Sequence, residues 1–347
     1  MYIRRVVALG VAAAMLAGGS AVLSAQKKGG GPAVSSQQDD AKRSKNQQED
    51  VTQITALLTT AMAAPGAAAD EQQGEVKIAW ESNHFIKGEG GIAYVPFTLS
   101  IDRAALTGSN SVVYIRAINR NAPPPAPAAG KAPMYPWSDW NFVSVNSDGK
   151  FQRAMMLPGG EYDVFIVAKD AFTGDKKAVA KTGMLRHRIT VPDYKAPGLM
   201  TSSLFVGDVD QIPAPLNEKQ QRENPYTIGT VKIAPAATDK FAKTGELGLF
   251  FLVYGAENDP ITKRPNVSIE YAFIERAAAG DKPFRKYAPQ ELNAMTLSPD
   301  ASAENGLIGG LPFPLANFAP GNYRLEIKIT DKAASKSKVE NVNFTVN

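Results

Sequence analysis

The side chains that could do chemistry are few. His84 and His187 are the only histidines, and the chain has no cysteine. That excludes a thiolate nucleophile, thiolate metal sites and disulfides. A histidine base needs a hydroxyl and an orienting carboxylate beside it. Neither histidine sits in a Gly-x-Ser-x-Gly elbow or a His-Glu-x-x-His helix. His84 precedes Phe85 where a matching segment carries Lys240, which suits an exposed position; His187 alternates with Leu185 and Ile189 as a strand residue. Asp208 and Asp210 are too few for calcium, which wants six to eight oxygens, and read as solvated linker acids. Gly88, Gly90 and Gly91 lead into no helix and read as a hairpin turn, not an anion cradle. The expectation is a non-enzyme with no catalytic residue, metal or cofactor.

One segment suggests binding. Residues 119–142 hold Pro123, Pro124, Pro125, Pro127 and Pro133 and end in an aromatic cluster with Tyr135, Trp137 and Trp140. Long stiff loops are commonly functional, and tryptophan and tyrosine favour contact sites. Trp140 is expected in the core and Trp137 exposed, so Tyr135 and Trp137 could stack on sugar faces.

The elements that must position these residues read as strands. Runs at 94–101, 112–118, 162–168, 185–191, 247–254, 267–274, 323–329 and 339–346 place apolar residues at every second position, as in Val267, Ile269, Tyr271 and Phe273. Period two means one buried and one wet face. Short strands spaced by Gly, Pro, Asn and Asp predict an all-β chain of two tandem immunoglobulin or fibronectin III-like sandwiches.

An internal repeat supports the pairing. Val76-Lys77-Ile78-Ala79 recurs as Val231-Lys232-Ile233-Ala234, and the spacing of Phe97 and Val113 recurs at Phe251 and Val267. Pro158-Gly159 then Tyr162 and Asp170 matches Pro320-Gly321 then Tyr323 and Asp331. Each tyrosine opens a strand with its hydroxyl in reach of the preceding corner, so Tyr162 and Tyr323 are expected as structural tyrosine corners.

Beyond Leu185 to Val191, the run Pro192-Asp193-Tyr194, then Ser202-Ser203-Leu204, then Phe251, Val253, Tyr254, Pro320, Gly321, Tyr323 and Leu325 resembles the C-terminal sandwich region of bacterial, acidobacterial-type von Willebrand factor A-related exported proteins. The likeness spans about residues 75 to 347. It implies an exported immunoglobulin-like scaffold without catalytic activity. There is no Asp-x-Ser-x-Ser and no room for an A domain, so metal-dependent adhesion does not carry over.

The N-terminus reads as a signal peptide over 1–25. Arg4 and Arg5 precede an apolar run and small residues, with cleavage after Ala25 or Ala21. The run is too short to span a bilayer. Residues 26–74 lack aromatics and read as a disordered tether, with one weak helical stripe from Val51 to Met62 expected to be exposed and fraying. Domain 1 is then 75–195, a proline-rich connector 196–225, and domain 2 226–347. The net charge of +4 falls to +2 without the leader, too little to argue for nucleic acid. The product is expected in the periplasm or outside the cell, as a structural or interaction protein of the envelope with a protein partner. The alternative is a carbohydrate-binding module taking polysaccharide, with no membrane span after cleavage in either case.

Overall fold

The computed structural model describes residues 43–63, 70–108, 110–122, 137–175, 180–278 and 280–347. The leader, the tether as far as residue 42, and Tyr135 with the rest of 123–136 lie outside these residues. The chain is mostly strand and forms two compact units. Their described parts are residues 43–85 and 89–193, and residues 86–88 and 194–347. Each of the eight strands expected from the alternation lies within an observed one.

The first unit holds α1 (Lys45–Ala63), β1 (Glu71–Gly74), β2 (Ile78–Asn83), β4 (Ala93–Ile101), β5 (Ser111–Asn119), β6 (Trp137–Val143), β7 (Lys150–Leu157), β8 (Gly160–Asp170) and β9 (Thr182–Val191). One antiparallel sheet runs β1-β9-β8-β5-β6; β4 pairs with β2 and β7 in another. In β5 the run Ser111 to Ala117 is buried without a break, and so is Tyr162 to Asp170 in β8. A strand with one wet face would alternate, so the one-faced reading is corrected here: this sheet is covered on both sides.

The second cover is α1. A reciprocal capping box starts the helix: Ser44 Oγ accepts from the Gln47 N–H at 3.3 Å and Gln47 Oε1 from the Ser44 N–H at 2.9 Å. Asp50, Ile54, Leu58 and Ala61 fall on one face of the helix and are buried. Ile54, Leu58 and Ala61 pack with Val112, Tyr114, Phe165, Val167 and Met184 of the sheet. The expectation of a fraying helix in a tether is therefore wrong. Ile54 and Leu58 are 0% exposed, which contributes about 1.5–3 kcal/mol each.

The second unit holds β3 (Ile86–Lys87), β10 (Met200–Thr201), β11 (Phe205–Gln211), α2 (Glu218–Glu223), β12 (Thr227–Ile228), β13 (Val231–Pro235), β14 (Lys240–Phe241), β15 (Glu246–Tyr254), β16 (Val267–Ala277), β17 (Gly280–Lys286), β18 (Gln290–Leu292), β19 (Leu307–Gly309), β20 (Pro312–Pro314), β21 (Gly321–Asp331) and β22 (Lys336–Val346). One sheet gathers β10, β11, β19 and β20 around β15; the other runs β14-β22-β21-β16-β17. Leu249, Phe251, Ile269, Tyr271, Phe273, Phe313, Tyr323, Leu325 and Ile327 close the core between them.

The sheets β9-β8-β5-β6 and β22-β21-β16-β17 have the same strand order. Tyr162 lies opposite Asn119 and Ile189, and Tyr323 opposite Glu275 and Phe344. Asp170 and Asp331 each face the first residue of the neighbouring strand, Ser111 and Val267. Two details of the sequence repeat fail. Ile78 pairs with Ile101 of β4, whereas Val231–Pro235 pairs with β11 and β12, not with β15. The place beside β15 is taken by Met200–Thr201 and Phe205–Val206. The stretch 196–225 is thus no bare connector: it supplies an edge of the second unit, held where Ser202 exchanges hydrogen bonds of 2.9 Å with Leu252. Counting back from the tyrosines, Gly321 corresponds to Gly160 and not to Gly159.

Candidate functional site

The aromatic pair follows strand parity. Trp137 pairs with Ala117, Trp140 with Tyr114, and three residues apart they point to opposite faces of the sheet. Trp137 is 6% exposed, against the expectation, whereas Trp140 is half-buried and packs against the core cluster under the helix. The Trp140 ring lies on the helix-covered face, 4.0 Å from Tyr114 and with the Arg43 guanidinium 5.2 Å above it. A sugar platform needs an open ring face. Trp137 has none, and Arg43 stands over Trp140. Tyr135 lies outside the described residues.

Under α1 sits an ion pair that nothing in the strand pattern announces. Lys169 Nζ contacts Asp50 Oδ1, and both side chains are 1% exposed. Lys169 also donates to Gln53 Oε1 at 2.9 Å, and the Phe172 N–H donates to Asp50 at 3.0 Å. Burying a charge is costly unless it is paired and hydrogen-bonded, and here both conditions hold. Farther back along β8, Asp163 binds Arg186 at 2.6 Å and Arg188 at 3.1 Å. Burial works to raise the Asp163 carboxyl, but the two guanidinium hydrogen bonds prevail and hold it below its ordinary value.

The Tyr162 hydroxyl donates to the Pro158 carbonyl at 3.0 Å, and the Tyr323 hydroxyl to the Ala319 carbonyl at 2.9 Å. That is tyrosine-corner geometry in each unit. Burial raises the pKa of both phenols, so they remain donors. The aspartates eight residues on clamp loops. Asp170 accepts from the N–H groups of Thr107 at 3.0 Å and Gly108 at 2.9 Å; Asp331 accepts from the N–H of Glu257 at 2.8 Å. Those residues lie in the β4–β5 and β15–β16 loops, which are corresponding connections. Sequence showed the spacing of these aspartates but not their task.

The histidines do other work. The His187 ring stacks on Trp80 at 4.5 Å and its Nδ1 meets Asp70 Oδ1. Among the described hydrogen bonds that ring's partner is the Asp70 carboxylate. His84 is half-buried, not exposed, and desolvation lowers its pKa to about 4. Asp208 and Asp210 are exposed on β11, strand residues instead of linker acids. Among the described residues no group of three or more His, Asp or Glu could hold a metal, and no helix is long and apolar enough to cross a membrane.

At one end of the second unit, two loops are tied together. The Arg264 guanidinium donates to the Ser298 carbonyl, and the Gly255 N–H to the Ala303 carbonyl at 3.1 Å. Asp259 Oδ1 accepts from the N–H groups of Ile261 at 3.0 Å and Thr262 at 2.9 Å, which lowers its pKa. On these two loops stand the most exposed large apolar side chains among the described residues, Ile261 at 88% and Met295 at 92%. Sequence reasoning passed over both.

No protein-family model and no curated protein matches the chain. Among solved structures it is similar to Salmonella alpha-2-macroglobulin reacted with methylamine, at 11% identity and a TM-score of 0.20, covering 81% of this chain and 17% of that one. Trypsin-activated alpha-2-macroglobulin from Escherichia coli gives 12%, 0.22, 81% and 17%. The chain spans about 17% of the length of either protein. Likeness at these scores has no bearing on function.

Proposed function

We propose that this chain is an exported, non-enzymatic protein of the cell envelope that serves as a structural and protein-interaction module. The observation that carries the reading is the rigid loop end of the second unit. Ile261 and Met295 are held out on loops fixed by Asp331, Asp259 and Arg264, so docking on them costs little ordering entropy. The charged and aromatic groups elsewhere hold the scaffold together, as Asp50 with Lys169 and Asp163 with Arg186 do. Export rests on the leader-like Arg4, Arg5 and the apolar run after them, and on the resemblance to von Willebrand factor A-related exported proteins.

The test is one experiment in bacterial cells producing a tagged chain with a photo-crosslinking residue in place of Ile261. The expected product starts after Ala25 or Ala21, leaves the cytoplasm, and crosslinks to an envelope protein in a way that Met295→Asp abolishes. A chain retaining Met1 in the cytoplasm overturns export. Crosslinking absent, or equal from an exposed position on α2, overturns the interaction site.

A further inference from the structure

The edges of the β14-β22-β21-β16-β17 sheet of the second unit differ. At one side, β17 is guarded: it carries Lys282, Pro283, Arg285 and Lys286, and its register with β16 shifts at Phe273/Ile274. At the other side, β22 pairs with β21 without a break from Lys336 to Val346, and β14 covers only Thr345 and Val346. The Thr345 N–H points away from β21, to the Asp239 carbonyl at 2.8 Å. By alternation the N–H and C=O groups of Ser337, Val339, Asn341 and Asn343 point the same way. Among the described residues they have no backbone partner. Val339, in the middle, is 49% exposed.

The first unit shows what such an edge takes. Ile189 and Phe344 hold the same place beside the two tyrosines, so Gly183–Arg186 of β9 corresponds to Lys338–Asn341 of β22. In the first unit those four residues carry β1, an added antiparallel strand.

We propose that β22 pairs antiparallel with β22 of a second copy of this chain, with Val339 on the two-fold axis. The strand is complementary to itself in that register. Val339 faces Val339 and their backbones exchange two hydrogen bonds. Ser337 faces Asn341 and makes two more on each side of the axis. Lys338 lands opposite Glu340, and Glu340 opposite Lys338, so the charges match twice. A shift by one residue would mismatch the outward-facing groups; a shift by two along the partner would set Glu340 against Glu340. Lys338 and Glu340 already form a 2.9 Å ion pair within one copy, and both reach Thr201 Oγ1 at 3.1 Å, so the two charges stand fixed on one face of the strand that the partner meets. This inference is independent of export and of the loops at Ile261 and Met295.

Sedimentation velocity of the full chain over a wide concentration range tests it. The expected result is a monomer–dimer equilibrium. Val339→Pro removes an outward N–H at an edge position where proline is tolerated and should give monomer throughout. Lys338→Glu should weaken the dimer about tenfold, and adding Glu340→Lys should restore it. The paired charge variants keep the test valid if the proline variant unfolds. A wild-type monomer at every concentration overturns the proposal and makes Lys336 and Lys338 guards of the edge. A dimer indifferent to Val339→Pro and to Lys338→Glu overturns the surface.

Discussion

Asp50 of the N-terminal helix and Lys169 of the sheet beneath it form an ion pair with each side chain 1% exposed, across 119 residues of sequence. The pair sits in the interface that turns a weakly amphipathic segment into part of a folded unit. Removing one partner leaves the other charge buried alone. Asp50→Ala should cost about 3–5 kcal/mol in denaturant unfolding, since it also strands the Phe172 N–H. Replacing both, as Asp50→Leu with Lys169→Met, should recover more than 1 kcal/mol of that, about the gain expected when an uncompensated charge is removed. A double variant as unstable as Asp50→Ala would show that the charge is not the cause.

The tyrosine corners give a second expectation. Tyr162→Phe and Tyr323→Phe each remove one hydrogen bond, to Pro158 and Ala319, while keeping the ring in place. Each should lower stability by about 1 kcal/mol. Unchanged unfolding in either variant would mean that water replaces the bond at no cost.

The strands were legible in the sequence because alternation and turn chemistry are local. All eight runs lie in strands, and the tyrosine-to-aspartate spacing marks corresponding positions in the two units. What it hid depends on partners far along the chain. Val112, Val113, Tyr114 and Ile115 are apolar in succession, the mark of a strand buried twice, yet the cover came from a helix with few large apolar residues. In the second unit the corresponding face is polar, with Glu270 opposite Lys328, each 49% exposed, where the first unit has Tyr114 opposite Val167. The places of Trp137 and Trp140 follow from pairing with Ala117 and Tyr114, a register not readable from composition. The strands in 196–225 were masked by the flanking Pro197, Pro213 and Pro215 and by the Ser202-Ser203 interruption.

Acid should weaken the first unit through His84. Its folded pKa is about 4 against an ordinary 6.5, because burial disfavours the charged ring. Between these values the unfolded chain binds a proton that the folded chain does not, so stability falls as pH drops through 6.5 and levels off below 4. The loss at pH 5 from this group alone is about 2 kcal/mol. His84→Gln should flatten that part of the curve. An identical pH profile in the variant would place the acid sensitivity elsewhere.

Native-state hydrogen exchange read residue by residue tests most directly whether the charged groups of this chain lock its scaffold. The amides of Ile54 and Leu58 in α1, of Gly108 under Asp170 and of Glu257 under Asp331 should exchange nearly as slowly as those of Tyr114 and Val167 in the sheet, and Asp50→Ala should release the helix amides first. Helix and loop amides exchanging orders of magnitude faster than the sheet in the wild-type chain would contradict it.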